Sequence, residues 1–259
     1  DGAIRYTRVN GNGVDLNRDA VALSQRESQF LRSVYNRMRP HFCFNLHDQR
    51  TIFGVGDRPA MVSFLAPAVD EDRNVTRVRR KAARIITEMN NYLQLSINGF
   101  VGRFDDSFNP NCTGDQYSLL GTPTILIESG FYPGDYQREQ TRKYVAQALY
   151  VGLSYINDNK VGTEGWKHYL AIPENKKCFR DYCIINDKDP KEKIFVQLEE
   201  VLEGNRIIFI PQLVPESEGK DFHSHRTYFL SEICSKENCD IHSEIPYILE
   251  YIRKEVENI

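Results

Sequence analysis

The 259-residue chain has no long apolar run, no strong charge of either sign, no dense cysteine framework and no internal repeat or low-complexity tract. Each absence removes a class of function. No window approaches the roughly 18 apolar residues of a membrane-spanning helix, and no signal-peptide pattern opens the sequence, so no membrane partner is expected. A formal net charge of −3 does not supply the basic surface that nucleic acid or an anionic bilayer requires. The longest basic cluster, Arg77-Val78-Arg79-Arg80-Lys81, falls in helical apolar spacing and reads as a solvated helix face. The six cysteines form no framework. Cys43, in an apolar strand-like run, reads as a buried free thiol. Cys178 and Cys183, like Cys234 and Cys239, are merely close in sequence. The balance favours a reducing, cytoplasmic setting.

What is present is 41% hydrophobic content, enough for one large domain or a main domain with a smaller annex. Strand-like and helix-like stretches alternate over residues 1–160, which predicts an α/β domain with a mostly parallel or mixed sheet flanked by helices. Asn10 to Gly13 reads as a turn and Val14 to Asn17 as a short strand. Ser24-Gln25-Arg26-Glu27 has the capping-box form and opens a helix with Phe30, Leu31, Val34, Tyr35 and Met38 on its apolar face, stopped by Pro40. "HFCFNLH", His41 to His47, is of strand length. A second amphipathic helix uses Val78, Ala82, Ile85, Ile86, Met89 and Leu93, with Gly99 after it. The polar loop "GRFDDSFNPNCTGD", Gly102 to Asp115, is long for a compact domain and therefore a candidate functional loop. It feeds "TPTILIE", Thr122 to Glu128, read as a buried parallel strand. A last helix spans about Tyr136 to Ile156, and "NDNKVGTEG" reads as a linker. Residues 161–259 predict a small α+β annex, with a hairpin from Ile194 to Leu213 turning at Gly204-Asn205 and a helical tail, "EIPYILEYIRKEVENI".

Three strand-like runs end in chemically useful groups: Asn17-Arg18, His47 and Glu128. Ligands of open α/β sheets sit outside the carboxyl ends of the strands, so these three groups are expected to share a cleft there. An Asn-Arg pair offers an amide and a planar guanidinium fork, which suits a carboxylate. A terminal histidine taken singly is more often a satisfied polar residue than a metal ligand. A glutamate closing a buried strand is rarer, since carboxylates are seldom buried unpaired. Together they make a carboxylate clamp, an imidazole and a general base.

"GVDLNRD", "NLHDQ" and "TPTILIESG", in that order, together resemble the zinc carboxypeptidases of the carboxypeptidase A type. The opening "DGAIRYTR" looks like that family's Asp-Gly segment followed by an arginine-bearing loop. The resemblance covers residues 1–157. It implies a zinc-carboxypeptidase-like fold, a Zn2+ cofactor and hydrolysis of the C-terminal bond of a peptide-like substrate with a free carboxylate. Asn17 and Arg18 would bind that carboxylate, and His47 would be the third zinc ligand. Glu128 would be general base and then acid. Arg8, ahead of Arg5, would stabilise the oxyanion.

Two departures stand beside the resemblance. The family's first two zinc ligands come from a His-x-x-Glu motif upstream of the Asp-Gly segment. No such motif occurs among His41, His47, His168, His223, His225 and His242. The expectation is a chain that begins after that motif and holds zinc poorly, or a degenerate relative. Second, the family's mobile tyrosine has no counterpart where this chain carries Asp106, Ser107 and Phe108, with Tyr117 further on. Two other functions are consistent with the same residues. One is a zinc amidohydrolase acting on N-acyl amino acids, of the succinylglutamate desuccinylase and aspartoacylase type. The other is a catalytically dead carboxylate-binding module. Asp115 is either a pocket residue selecting basic side chains or a turn former. His223, His225, Cys234, Cys239 and His242 are zinc-compatible types, here read as surface histidines and incidental cysteines.

Overall fold

The computed structural model describes residues 2–158, 161–218, 221–234 and 239–257, so Asp1 of the Asp-Gly segment lies outside the described residues. In chain order come α1 (Gly2–Arg5), α2 (Arg26–Met38), β1 (Cys43–Asp48), β2 (Phe53–Val55), β3 (Arg58–Pro59), β4 (Val62–Leu65), α3 (Arg77–Gln94), β5 (Val101–Arg103), α4 (Thr113–Leu119), β6 (Thr124–Ser129) and α5 (Glu139–Asp158). The second part holds β7 (Lys176–Lys177), β8 (Phe179–Ile185), β9 (Lys193–Glu203), β10 (Arg206–Leu213), β11 (His223–Phe229), α6 (Leu230–Ile233) and α7 (Ile245–Val256).

The main sheet runs β1-β6-β4-β5. β1 pairs with β6 and β4 with β5 in parallel, while β4 and β6 are antiparallel. The sheet is therefore mixed, flanked by helices. Side chains alternate between faces along each strand, and the two faces here differ in kind. Val62, Phe64, Val101, Ile125 and Ile127 join Ala82, Ile85, Ile86, Met89 and Leu93 of α3 in one apolar core. α5 packs on α3 with Gly152 against it, where a Cβ would stand 3.0 Å from the Met89 sulfur. The opposite face carries Asn45, His47, Ser63 and Glu128. α4 lies against β1 and β6.

The first core also contains Val161, Tyr169 and Ile172, so the chain following the linker-like stretch packs on the α/β layer. The Tyr169 hydroxyl accepts the Ala66 N–H at 3.1 Å. The second sheet runs β10-β9-β8-β11, with α6 and α7 packed around Tyr182, Ile184 and Val196. Its β9–β10 hairpin turns at Gly204 and Asn205, as the sequence predicts. The small sheet β3-β2-β7 joins the two parts. Among the described residues, no helix is long and apolar enough to cross a membrane.

Several local expectations are corrected. Residues Leu16–Arg18 form a 3-10 turn instead of a strand, because the Asp15 carboxylate accepts the Asn17 N–H at 2.9 Å and folds the chain back on itself. The capping box before α2 does not form. Asp19 takes the Ser24 and Gln25 N–H groups instead, each at 2.9 Å. The apolar face of α2 is only half used: Tyr35 stacks on Tyr117 at 4.2 Å, while Phe30 and Met38 are each 69% exposed. Arg79 is no solvated side chain. It is buried and donates to the carbonyls of Ala66 and Arg73 and to the Asp106 carboxylate. Cys43 is free but only half-buried. Cys234 and Cys239 are joined in a disulfide.

Candidate functional site

His47 and Glu128 are direct partners in the parallel pairing of β1 with β6, one residue before the carboxyl end of each strand. Residues facing each other in a ladder project to the same side of the sheet, so the imidazole and the carboxylate share the polar face. Glu128 is also opposite Ser63 of β4. Just beyond it, Gly130 lets the chain pass the neighbouring backbone: a Cβ there would lie 1.7 Å from the Ala60 carbonyl oxygen.

Electrostatics separate the two groups. Burial, followed by the charge of Asp48, pushes the Glu128 carboxyl up to about 7, with Arg8 pulling the other way. Burial, aided by the charges of Arg8 and Arg18, holds the His47 imidazole below its usual range. His47 Nε2 is buried with no hydrogen-bond partner. A neutral imidazole with a free nitrogen therefore stands beside a carboxyl that is half-ionised near neutrality.

Of the expected clamp, Asn17 shares a pocket with His47, whereas neither Arg18 nor Glu128 lines that pocket. Arg8 Nε donates to Asp15 Oδ2 at 2.7 Å, with the arginine side chain 64% exposed. Asn17 Oδ1 accepts the Thr113 N–H at 3.0 Å, tying the 3-10 turn to the start of α4. Arg18 donates to the Asn17 carbonyl and lies 2.9 Å from the Cys112 sulfur. It pairs with no acid among the described residues. Asn17 and His47, with Asn45, Leu46 and Tyr117, line one pocket of about 310 Å³. Arg5, at the end of α1, is exposed. Asp115 is buried and accepts the Asn109 N–H at 3.1 Å, a turn-forming contact.

The sequence alone did not point to the residues that close the two strands. Asp48 and Ser129, immediately after His47 and Glu128, both bind Arg138: its guanidinium meets Asp48 Oδ1 at 2.8 Å and the Ser129 carbonyl at 3.1 Å. Arg138 holds a left-handed backbone (φ 64°), and its Nε is buried without a partner. A non-glycine residue kept there costs on the order of 1 kcal/mol or more and is often found at working sites. The "HDQ" sequence could have signalled Asp48; nothing local signalled Arg138, 90 residues away. The second part of the chain grips the segment after His47. Asn175 Nδ2 donates to Gln49 Oε1 at 2.8 Å, Gln197 Nε2 to Thr51 Oγ1 at 2.9 Å, and His225 Nε2 lies 2.8 Å from the Thr51 carbonyl. Buried Asp181 also reaches Thr51, and burial pushes its carboxyl up to about 7.

A catalytic zinc takes three protein ligands and an open position. His47 is of the right type, with its free nitrogen buried. Among the described residues, however, no three His, Cys, Asp or Glu ligand atoms converge on it. The group that does converge is Cys234, Cys239 and Glu244, whose sulfurs form the disulfide. The five annex residues considered from sequence do not assemble. His225 stacks on Phe179, and His242 lies 3.4 Å from Glu192. Among the described residues His47 therefore supplies one ligand of such a centre, and no others complete it.

No family model matches the chain, and no curated protein does. Among solved structures it is similar to the apo cell shape determinant protein Csd4 from Helicobacter pylori, with 13% identity and a TM-score of 0.38, over 74% of this chain and 57% of that one. A likeness at that level carries no argument about chemistry, which rests on the geometry above.

Proposed function

We propose that this site binds the C-terminal carboxylate of a peptide-like substrate and serves hydrolysis of its last peptide bond, the chemistry of a metallocarboxypeptidase. The observation that carries the reading is the pairing of His47 with Glu128 at adjacent strand ends, beside an arginine, Arg18, that has no acid partner among the described residues. Arg18 and the amide of Asn17 form the clamp, through charge-assisted hydrogen bonds to the substrate carboxylate. Glu128, with a pKa of about 7, is suited to take a proton and return it at neutral pH. Arg8, drawn toward the site by Asp15, stabilises developing negative charge on the carbonyl oxygen. Zinc dependence belongs to the same proposal, with His47 as one ligand. No step is assigned to the metal, because the described residues do not complete its site.

The incomplete ligand set favours a second reading, a module that binds carboxylates without turning them over. One experiment addresses both: binding and cleavage of a peptide, of its C-terminal amide and of an N-acyl amino acid, with and without added zinc. Cleavage of the free peptide alone supports the peptidase. Binding without cleavage supports the module, and cleavage of the N-acyl amino acid supports the amidohydrolase alternative. Indifference to the terminal carboxylate removes the clamp and both peptide readings.

A further inference from the structure

Where the last helix begins, Cys234, Cys239 and Glu244 bring together two sulfurs and a carboxylate oxygen, all within 4.8 Å of one another. The main chain sets this meeting. Cys234 closes α6, its N–H donating to the Leu230 carbonyl at 2.8 Å. Ile241 is fully buried in the second core with Ile233, Ile248 and Ile252, which pins the stretch after Cys239. A single turn, in which the Glu244 N–H donates to the Asp240 carbonyl at 3.1 Å, then carries Glu244 to the N-cap of α7. We propose that the disulfide and a metal ion are alternative states of this cluster: once the Cys234–Cys239 bond is reduced, the two sulfurs and the Glu244 carboxylate bind a thiophilic divalent cation of the zinc type. The site is separate from His47 and does not depend on the reaction proposed above.

Donor type is the first argument. Zinc takes thiolate sulfur and carboxylate oxygen, and paired cysteine ligands commonly have about two to four residues between them. Cys234 and Cys239 have four, and Glu244 supplies the oxygen. Room is the second argument. Two sulfurs on a tetrahedral zinc stand roughly 3.8 Å apart, farther than in a disulfide. The Cα atoms are 6.9 Å apart, so rotation about the two Cα–Cβ bonds reaches that separation. Three protein ligands leave a fourth position for water, on the side where Cys239 and Glu244 are partly exposed. Burial is the third argument. Cys234 is 4% exposed, in the second core. Thiolates and carboxylates against apolar side chains are costly unless an opposite charge pairs with them, and one divalent cation supplies that charge to all three. A dithiol reductant opens the disulfide by exchange: it gives two electrons and two protons to the sulfurs and closes to its own disulfide. The cation then displaces the two thiol protons. The disulfide ties the end of α6 to Cys239 alone, whereas the metal adds the start of α7, so the two states differ in how firmly the last helix is held.

The test is zinc binding by the full chain, read in competition with a chromophoric chelator. Oxidised protein is compared with protein reduced by a water-soluble phosphine, which takes an oxygen from water and does not compete for the metal. The reduced chain should hold about one equivalent of zinc at this cluster, and the oxidised chain should not. Cd2+ in place of zinc should give thiolate-to-metal charge-transfer absorption in the ultraviolet. Losing a group that merely orients a metal ligand costs about 10–100-fold in affinity. Cys234→Ser, Cys239→Ala and Glu244→Gln should therefore each weaken zinc binding by at least about tenfold, and His47→Ala should leave it unchanged. Cys239 and Glu244 are partly exposed, so their variants decide the matter even where Cys234→Ser fails to fold. No zinc on the reduced chain, equal binding by oxidised and reduced protein, or binding lost in His47→Ala alone overturns the proposal. Zinc held through both cysteines but indifferent to Glu244→Gln overturns the three-ligand assignment.

Discussion

Glu128→Gln should change how stability depends on pH, and by an amount the structure sets. The carboxyl is raised from 4.5 to about 7, first by burial and then by Asp48. At about 1.4 kcal/mol for each tenfold change in proton affinity, ionising it in the folded chain costs about 3 kcal/mol. The direction follows from linkage: a carboxyl that holds its proton more tightly when folded contributes stability below the unfolded value. That contribution declines as pH rises and is gone above the folded value. Glutamine keeps the shape and cannot ionise. Urea denaturation of both proteins at pH 5 and pH 8 should show the variant gaining on the wild type by about 2–3 kcal/mol at the higher pH. Asp181, also raised to about 7, titrates in both proteins and cancels in the comparison. A gap between the two proteins that stays the same at pH 5 and pH 8 would refute a buried, proton-retaining Glu128.

Other outcomes follow from single contacts. Arg18→Ala should weaken binding of free-carboxylate peptides by about a hundredfold or more, because two charge-assisted hydrogen bonds of roughly 1.5–3 kcal/mol each are lost. Arg18→Lys should recover part of this, and calorimetry against the peptide amide checks both. Equilibrium dialysis should find zinc held weakly or not at all at His47, and stoichiometric zinc lost in His47→Ala would contradict the ligand count. Gly130→Ala should lower stability by about 3 kcal/mol or more, since its Cβ would meet the Ala60 carbonyl at 1.7 Å; thermal unfolding reads this directly. Tyr169→Phe should cost about 1–3 kcal/mol by leaving the buried Ala66 N–H without an acceptor, measured by chemical denaturation.

What could be read from sequence was what repeats with a period. α3 was legible because Ala82, Ile85, Ile86, Met89 and Leu93 recur at helical spacing and all are buried. β1, β6 and the β9–β10 hairpin were legible from run length and turn residues. β4 was missed: Val62, Ser63, Phe64 and Leu65 are all buried, so no alternation marks the strand. The positions of His47 and Glu128 followed from strand ends, but their pairing depends on register, which no single strand encodes. The turn at Asn17-Arg18 was misread as a strand because one side chain, Asp15, decides it. Arg79 was misread because its partners Ala66 and Asp106 lie 13 and 27 positions away. Arg138 was invisible for the same reason.

The outer edge of β1 has a consequence for handling the protein. Cys43 and Gln49 donate to Pro123 and Ser129 across the ladder, so parallel pairing turns the intervening odd-numbered residues inward and the N–H groups of Phe44, Leu46 and Asp48 outward. Among the described residues no strand meets them, and Leu46 is 56% exposed. Neither proline nor lysine guards this edge, the usual devices against strand-to-strand growth. Concentrated solutions should therefore associate through it in a cross-strand manner, with losses that rise steeply with concentration. Leu46→Lys should be the most direct way to keep the protein monodisperse.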